Sequence, residues 1–595
     1  MPKHSKRIQS SPAKIKIASR DSKRSKETEQ RMALPATLPF PANWSSVHSY
    51  TLLAAATILC LVPFSRRAFH VDDTLFVWCA QNIAEQPLNP YGFEVTWDAT
   101  PQAMSDITQN PPLASYYAAL AGTAFGWSER ALHLSFLLIT MLLVLGVYRL
   151  ARKFTRFPLL AASATLLTPG LLVSASSVMC DTMMLAIWIW ACVFWIEGLE
   201  RGNYVLLILA AVLAGASALT KYFGISLIPL FAVYALLRMR RGGGWIFCLL
   251  IPVAILIGYQ SWTQELYGHG LLFGAAEFAE RQRAAAGMSW PAMAIAGASF
   301  AGGCALSGLA FAPLLWSRFR LAAIAGVSLL GALAVMLGWV ELGYHVGGQT
   351  ALFALRHNWL VGGYLELFIL SGVSLVTLAV FDCMERKNAD SVFLALWALG
   401  TFIFAAFVNY TVNARSVLPL IPAAGILIAR QLEKTESDFN QLRWKVAVAL
   451  VFSGATSLVV ASADADLANS ARQSAAMIVG KTRARTGTLW FEGHWGFQYY
   501  MEQSGAHPLD MERPAARPGD VIAVPFNNYQ LRRVPPRLVG SQEEFDLHPG
   551  GWASTIDASL GAGFYSSYWG PLPYFIGPAP AEHYTILQLA APHAQ

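Results

Sequence analysis

Apolar runs of about twenty residues recur along most of the chain, each closed by a short polar or charged stretch. A bilayer core of roughly 30 Å takes about 20 residues of helix, and without water the peptide groups must satisfy one another inside it. The runs predict spanning helices near 48–64, 129–150, 158–178, 181–198, 203–220, 222–238, 244–260, 292–316, 321–340, 363–383, 391–410, 416–430 and 445–462. The pattern changes twice. Residues 65–128 form a long polar stretch, and after 463 the apolar runs shorten to four or five residues between turn formers. Thr488-Leu489-Trp490-Phe491, Val521-Ile522-Ala523-Val524-Pro525 and Tyr584-Thr585-Ile586-Leu587 read as strands, with helical pattern at 464–484 and 494–504. The expected fold is an α-helical polytopic membrane protein of about 13 transmembrane helices over 48–462, followed by a C-terminal α/β soluble domain over 463–595. A domain of about 130 residues can bury its own core. No internal repeat is visible, unlike the paired halves of many transporters.

Composition agrees with the pattern: 55% hydrophobic and 13% charged residues exclude an ordinary soluble enzyme. The net charge of +7 is concentrated at the start of the chain. Lys3, Lys6, Arg7, Lys14, Lys16, Arg20, Lys23, Arg24, Lys26 and Arg31 sit among few apolar residues, so 1–47 is expected to be a disordered basic tail near anionic lipid headgroups. It lacks the apolar core of a cleavable signal. It also lacks aromatic side chains for base stacking, so the charge does not point to nucleic acid. Alternate loops are basic: Arg238, Arg240 and Arg241; Arg318 and Arg320; Arg386 and Lys387; Arg430, Lys434, Arg443 and Lys445. By the positive-inside rule these loops and the tail are cytoplasmic, and an odd number of spans puts 463–595 on the opposite face. In a bacterium that is the periplasmic side of the inner membrane. The seven cysteines have no CxxC spacing and lie almost all in apolar runs, as packing residues do.

The opposite loops carry ionisable residues that orientation does not explain. Asp72 and Asp73 follow the first helix in Phe69-His70-Val71-Asp72-Asp73-Thr74. Adjacent carboxylates at a membrane surface are expected to raise each other's pKa, and neighbours on an extended chain point apart, so one of the two would face a site. The same place also suits a helix start with Asp73 as its cap. Asn110, Pro111 and Pro112 precede Leu113-Ala114-Ser115-Tyr116-Tyr117; the double proline forces an extended turn and then starts a short amphipathic helix. Asp181 and Lys221 stand at the mouths of otherwise apolar helices, where an ionisable group is a functional candidate by default. Capping for Asp181 and snorkelling for Lys221 are the plainer readings.

In this order the residues resemble a known family. The Asp pair after the first helix, the Pro-Pro-Leu with tyrosines, Glu129-Arg130-Ala131-Leu132-His133 leading to Tyr148-Arg149-Leu150-Ala151-Arg152, Asp181, and Leu219-Thr220-Lys221-Tyr222 are together similar to glycosyltransferase family 39. That group includes protein O-mannosyltransferases and the aminoarabinose and galacturonic acid transferases of lipid A. The resemblance covers about residues 60–240. It implies a class C membrane transferase fold and a polyprenyl-phosphate sugar donor. It further implies Asp72 or Asp73 as the catalytic carboxylate and Lys221 as a donor-phosphate ligand, with lipid, glycan or protein as acceptor. Arg356 and Arg415, and Arg281 and Arg283, are further cations for the phosphate without a motif behind them. Asn110 departs from the basic residue that aminoarabinose transferases usually carry before the proline pair.

A transporter or flippase of lipid-linked sugars, or an assembly scaffold, is the rival reading; neither accounts for the long first loop together with the terminal domain. Gly480-Lys481-Thr482 lacks the earlier glycine of a phosphate loop, having Ala475. His269, His345, His357 and His494 are scattered, and two adjacent carboxylates at 72–73 do not by themselves make a divalent-metal site, which leaves a metal open. The aromatic run Trp490–Tyr500 suits either a small-domain core or a surface that stacks on a sugar.

Overall fold

The computed structural model describes residues 46–590 apart from 98–99, 240–242, 343–355, 435–438, 511, 513–514, 530 and 533. Nearly all of the expected 1–47 tail, together with Arg240, Arg241 and His345, lies outside the described residues.

The protein is a multi-pass helical membrane protein. Among the described residues nine helices are long and apolar enough to cross a bilayer, or up to eleven if each of two bent pairs is one span. α1 (Ser46–Leu61) is the first. The polar stretch that follows contains α2 (Asp73–Glu85), a hairpin pairing Glu94–Thr96 with Pro101–Ala103, and α3 (Leu113–Phe125). Small side chains Ala114, Ala118, Ala121 and Gly122 form the buried face of α3, while Leu120 and Phe125 are exposed. α4 (Glu129–Ala151) is started by Ser128, whose hydroxyl accepts from Ala131 N.

The expected span 158–178 is broken. α5 (Pro158–Leu166) and α6 (Pro169–Ala175) meet at 63° and are buried except at Ser163. Pro169 cannot donate into a continued helix, which accounts for the break. A second break of 88° separates Trp290–Cys304 from Ser307–Leu315. There Gly302 lies so close to the helix Trp359–Arg386 that a Cβ would meet Phe368 O at 1.9 Å. α7 (Cys180–Arg201) and α8 (Tyr204–Thr220) follow, turning at Gly202, which has φ +63°. The expected spans 203–220 and 416–430 correspond to α8 and to Leu420–Leu432, helices of 17 and 13 residues. Both fall short of a full crossing by length alone.

Four further helices are α9 (Leu271–Ala286), in the middle of the chain, then the single turn α10 (Ala414–Val417), α11 (Phe439–Thr482) and α12 (Trp495–Gln503). α11 runs 44 residues without interruption, so the expected boundary at 463 falls inside a helix that joins the last span to the C-terminal region. The terminal sheet has five strands: β1 (Leu489–Phe491), β2 (His507–Pro508), β3 (Val521–Pro525), β4 (Val539–Leu547) and β5 (Glu582–Leu589), in the order β2-β1-β3-β5-β4. β1 is parallel to β2 and β3, whereas β5 is antiparallel to β3 and β4. β4, Val-Gly-Ser-Gln-Glu-Glu-Phe-Asp-Leu, is an edge strand that alternates only over its second half, where Phe545 and Leu547 pack on the core while Glu544 and Asp546 face water. Residues 551–577 leave the sheet and pack back on the spans. Ser299 Oγ donates to Pro571 O at 2.6 Å, Tyr574 OH to Gly303 O at 3.1 Å and Tyr364 OH to Ile576 O at 2.9 Å.

One buried ion pair joins these parts. Arg67, just after α1, meets Asp464 of α11 at 2.7 Å, and both side chains are 0% exposed. Arg67 also donates to Ser176 O and Oγ at 2.9 Å and to Tyr565 OH at 3.2 Å. Asp464 accepts from Thr555 at 2.6 Å and Tyr565 at 2.9 Å. Replacing one partner of such a pair strands the other charge in a dry environment. Asp464→Asn is therefore expected to lower stability by about 3–5 kcal/mol, while Arg67→Met combined with Asp464→Leu recovers part of the loss. Melting temperatures of the two variants in detergent check this, and an unchanged melting point for Asp464→Asn contradicts it.

Candidate active site

α2 begins at a strained turn. Val71 has φ +47°, a conformation β-branched residues rarely adopt and one that persists only when the surroundings enforce it. What enforces it is the divergence of the two carboxylates that follow. Asp73 is 0% exposed, and its oxygens accept from His70 N and from Val178 N, both at 2.9 Å. It thus pins the turn to the loop before α7. Asp72 turns the other way and pairs with Arg415 of α10 at 2.7 Å.

The cap expectation is corrected by one position. Asp72, not Asp73, occupies the N-cap of α2, without a side-chain capping bond, and Asp73 is the first helical residue. The expected mutual pKa elevation is also corrected in its cause. Burial pushes Asp73 up to about 6, offset by Arg67 and by the His70 and Val178 amides, with Asp464 adding a smaller rise. Burial likewise pushes His70 down to about 4, so its ring is neutral.

The Asp72–Arg415 pair is partly accessible, at 24% and 14% of the side chains. α10 presents Arg415 through a capping box in which Asn413 and Ser416 bond reciprocally. The segment before it is tied to the C-terminal region: Ala414 N donates to Phe564 O at 2.9 Å, and Ser567 N to Val412 O at 2.7 Å. The Arg415 guanidinium lies 5.6 Å from the Tyr565 ring centroid and donates to Met179 Sδ at 3.1 Å. Asp72 holds the arginine's proton more firmly still, against the opposing effect of burial. Tyr410, also close to Asp72, is pushed up to about 12, by burial first and then by that carboxylate.

A second pair flanks the same place. Lys221, the residue that caps the end of α8, meets Asp181 in the first turn of α7 at 2.5 Å. The other oxygen of Asp181 and the Arg415 Nε are buried without a hydrogen-bond partner. Asn110 completes this corner, its Oδ1 facing Cys180 Sγ at 3.6 Å, while its backbone carbonyl accepts from Tyr91 OH at 2.8 Å. Pro111 and Pro112 are buried, with Pro112 capping α3.

The expected residues therefore divide. Asp72, Arg415, Asp181, Lys221 and Asn110 are brought to one neighbourhood around Met179 and Cys180. Tyr116 is a clasp instead, donating to Pro87 O at 2.5 Å. Arg356 pairs with the exposed Glu341 at 3.2 Å beside Gly338, away from that neighbourhood. Arg281 is exposed, and Arg283 donates to Val408 O at 2.7 Å. The two carboxylates diverge instead of forming a joint metal site: Asp72 pairs with an arginine and Asp73 accepts from two amides. Among the described residues no group of three or more His, Cys, Asp or Glu gathers to hold one.

Sequence reasoning missed Arg67, Asp464 and Tyr565, which support the pair from behind. A signal existed. Arg66 and Arg67 lie at the end of the first helix opposite the basic tail, where the positive-inside rule disfavours them.

Comparison with known proteins bears on the first half of the chain. Residues 109–262 match the family model described as dolichyl-phosphate-mannose-protein mannosyltransferase. The match overlaps the stretch that carries the resemblance in sequence, extends past it to 262, and includes Asn110, Pro111, Pro112, Tyr116, Asp181 and Lys221. No curated protein matches. Among solved structures, the Archaeoglobus fulgidus oligosaccharyltransferase in its apo form is 13% identical with a TM-score of 0.47, over 78% of this chain and 64% of that one. ArnT from Cupriavidus metallidurans bound to undecaprenyl phosphate is 15% identical with a TM-score of 0.41, over 81% of this chain and 94% of that one. The same ArnT in its apo state gives 15% and 0.37.

The buried Asp73 makes stability depend on pH. Its folded pKa, about 6, lies above the ordinary 3.8. The folded state therefore binds the extra proton between those values, and its stability rises as pH falls from about 6 towards 4. Above that window ionisation costs on the order of 3 kcal/mol. Asp73→Asn is expected to flatten this part of the profile. Melting temperatures of both proteins at pH 4.5 and 7.5 decide it, and parallel profiles refute it.

Proposed function

We propose that the chain is an inverting glycosyltransferase that takes a sugar from a polyprenyl-phosphate donor and passes it to a lipid, glycan or protein acceptor at the outer face of a bacterial cytoplasmic membrane. The observation that carries this reading is the convergence of two ion pairs around Met179 and Cys180: the partly accessible Asp72–Arg415, and Lys221, itself partly exposed, on the buried Asp181. The family match over 109–262, whose description names a lipid-phosphate-linked mannose donor, supports the same chemistry.

A phosphate needs cations that can leave their resting partners. Lys221 and Arg415 each have one carboxylate partner, and Arg415 keeps an unused Nε donor. In the proposed reaction both cations turn to the donor phosphate, which releases Asp72 from Arg415. The acceptor oxygen attacks the anomeric carbon from the face opposite the phosphate and loses its proton to Asp72. The bond from the anomeric carbon to the phosphate oxygen breaks, and its electron pair leaves with the lipid phosphate, neutralised by Lys221 and Arg415. The anomeric configuration inverts. Asp181 positions Lys221, and Asn110 borders the sugar-side corner through Cys180.

Purified protein offered radiolabelled polyprenyl-phosphate sugars and a membrane-extract acceptor tests this. Asp72→Asn is expected to lower kcat by about 10²-fold or more with an unchanged melting point. Asp73→Asn keeps turnover within a few-fold wherever it folds, while Lys221→Met and Arg415→Met raise the donor KM. Loss of activity in Asp73→Asn with full activity in Asp72→Asn reverses the assignment. Label that crosses the membrane without forming a new glycosidic bond assigns transport instead.

A further inference from the structure

Behind the Asp72 turn a half-open crevice lies between the first loop, α11 and the C-terminal sheet. Its wall includes His70, His494, Trp495, Asn527, Glu582 and Tyr584. Two features set it apart from a packing defect. His70 is 5% exposed, yet its Nε2 has no hydrogen-bond partner. Buried polar atoms are almost always satisfied, by protein, water or a ligand. The backbone here is also held under strain: Gly493 has φ +95° and Trp495 φ +64°, unusual for an aromatic residue. Trp495 lines the crevice together with the two histidines.

The chemistry of the wall narrows the occupant. It contains no Lys or Arg, so an anion has no counter-charge there. Burial pushes His70 and His494 each down to about 4, so each ring offers a neutral donor or acceptor. Glu582 is pushed up to about 7 by burial and accepts from the Asn527 amide at 2.9 Å. Uncharged imidazoles, an amide, a carboxyl that is partly neutral and an aromatic face match hydroxyl groups on a partly apolar ring. The rim is aromatic, with Trp97 at 5.1 Å and Tyr529 at 6.5 Å from the His494 ring by centroids.

We propose that this crevice is a saccharide-binding subsite that takes the vicinal hydroxyls of one uncharged sugar residue between His70, His494 and Glu582, with Trp495 against the ring. Assigning that sugar to the acceptor rests on the transferase reading; binding of the sugar itself does not. The acceptor role follows from position. His70 is two residues from Asp72, and its ring packs at 5.6 Å on Tyr565, the same ring that Arg415 overlies.

The test uses the full chain in a detergent without a sugar headgroup, since a maltoside would occupy the site. Saturation-transfer NMR is recorded with methyl glucoside, methyl galactoside, methyl mannoside and methyl N-acetylglucosaminide. At least one is expected to receive saturation, and its signal falls at least several-fold in Glu582→Gln and in Asn527→Ala. Trp495→Gly, which tolerates the positive φ, removes the ring and acts in the same direction. Each variant must keep the wild-type melting point to count, and the isosteric Glu582→Gln keeps the test decisive if the others unfold. In the transfer assay the same variants raise the acceptor KM roughly tenfold, as lost hydrogen bonds would, with kcat and donor KM unchanged. No saturation with any glycoside, or equal saturation in wild type and all folded variants, overturns the proposal. Glycoside binding that the variants abolish, in a protein that transfers no sugar, upholds the subsite and refutes the transferase reading alone.

Discussion

The structure depends on one desolvated charge pair. Arg67 and Asp464 come from opposite ends of the chain and bury completely at 2.7 Å, with Ser176, Thr555 and Tyr565 supplying hydrogen bonds around them. Such a pair gains little over a well-packed apolar contact, but breaking it is costly. Its effect is on geometry. It requires the first loop, the loop before α7, the long α11 and the segment around 555–565 to meet at one place. The C-terminal region is therefore seated on the membrane helices by buried charge as well as by the aromatic packing of Phe564, Tyr574 and Phe575.

That constraint explains why two adjacent aspartates do different work. Arg67 and the amides of His70 and Val178 draw Asp73 inward, and the strain at Val71 absorbs the turn this needs. Asp72 is left facing Arg415, with about a quarter of its side chain exposed. Tyr565 bonds to the buried pair through its hydroxyl and carries Arg415 over its ring, so the inner network and the accessible one share a side chain.

Much of this was legible in sequence, where the physics is periodic or local. The long apolar runs marked the helices, short apolar runs marked β1, β3 and β5, and the order Asp72, Asn110–Pro112, Asp181, Lys221 marked the corner that the fold assembles. What escaped was non-local. Nothing near Arg415 says that it reaches 343 residues back to Asp72, and nothing near Asp464 says that Arg67 neutralises it. The edge strand β4 carries apolar alternation only at Phe545 and Leu547, too short a run to mark a strand. The chain breaks inside 158–178 and 292–316 come from Pro169 and from glycine-mediated helix contact, which composition alone reads as continuous spans. Arg356 looked equivalent to Arg415 by residue type, and only packing separates them.

The central claim is that the Asp72–Arg415 and Asp181–Lys221 pairs are the resting form of a lipid-phosphate site. A structure of the full chain in lipid nanodiscs with undecaprenyl phosphate addresses it most directly. The account predicts the phosphate oxygens within about 3 Å of both Arg415 and Lys221, with the Asp72–Arg415 contact opened. A phosphate bound elsewhere, with both pairs intact, contradicts it.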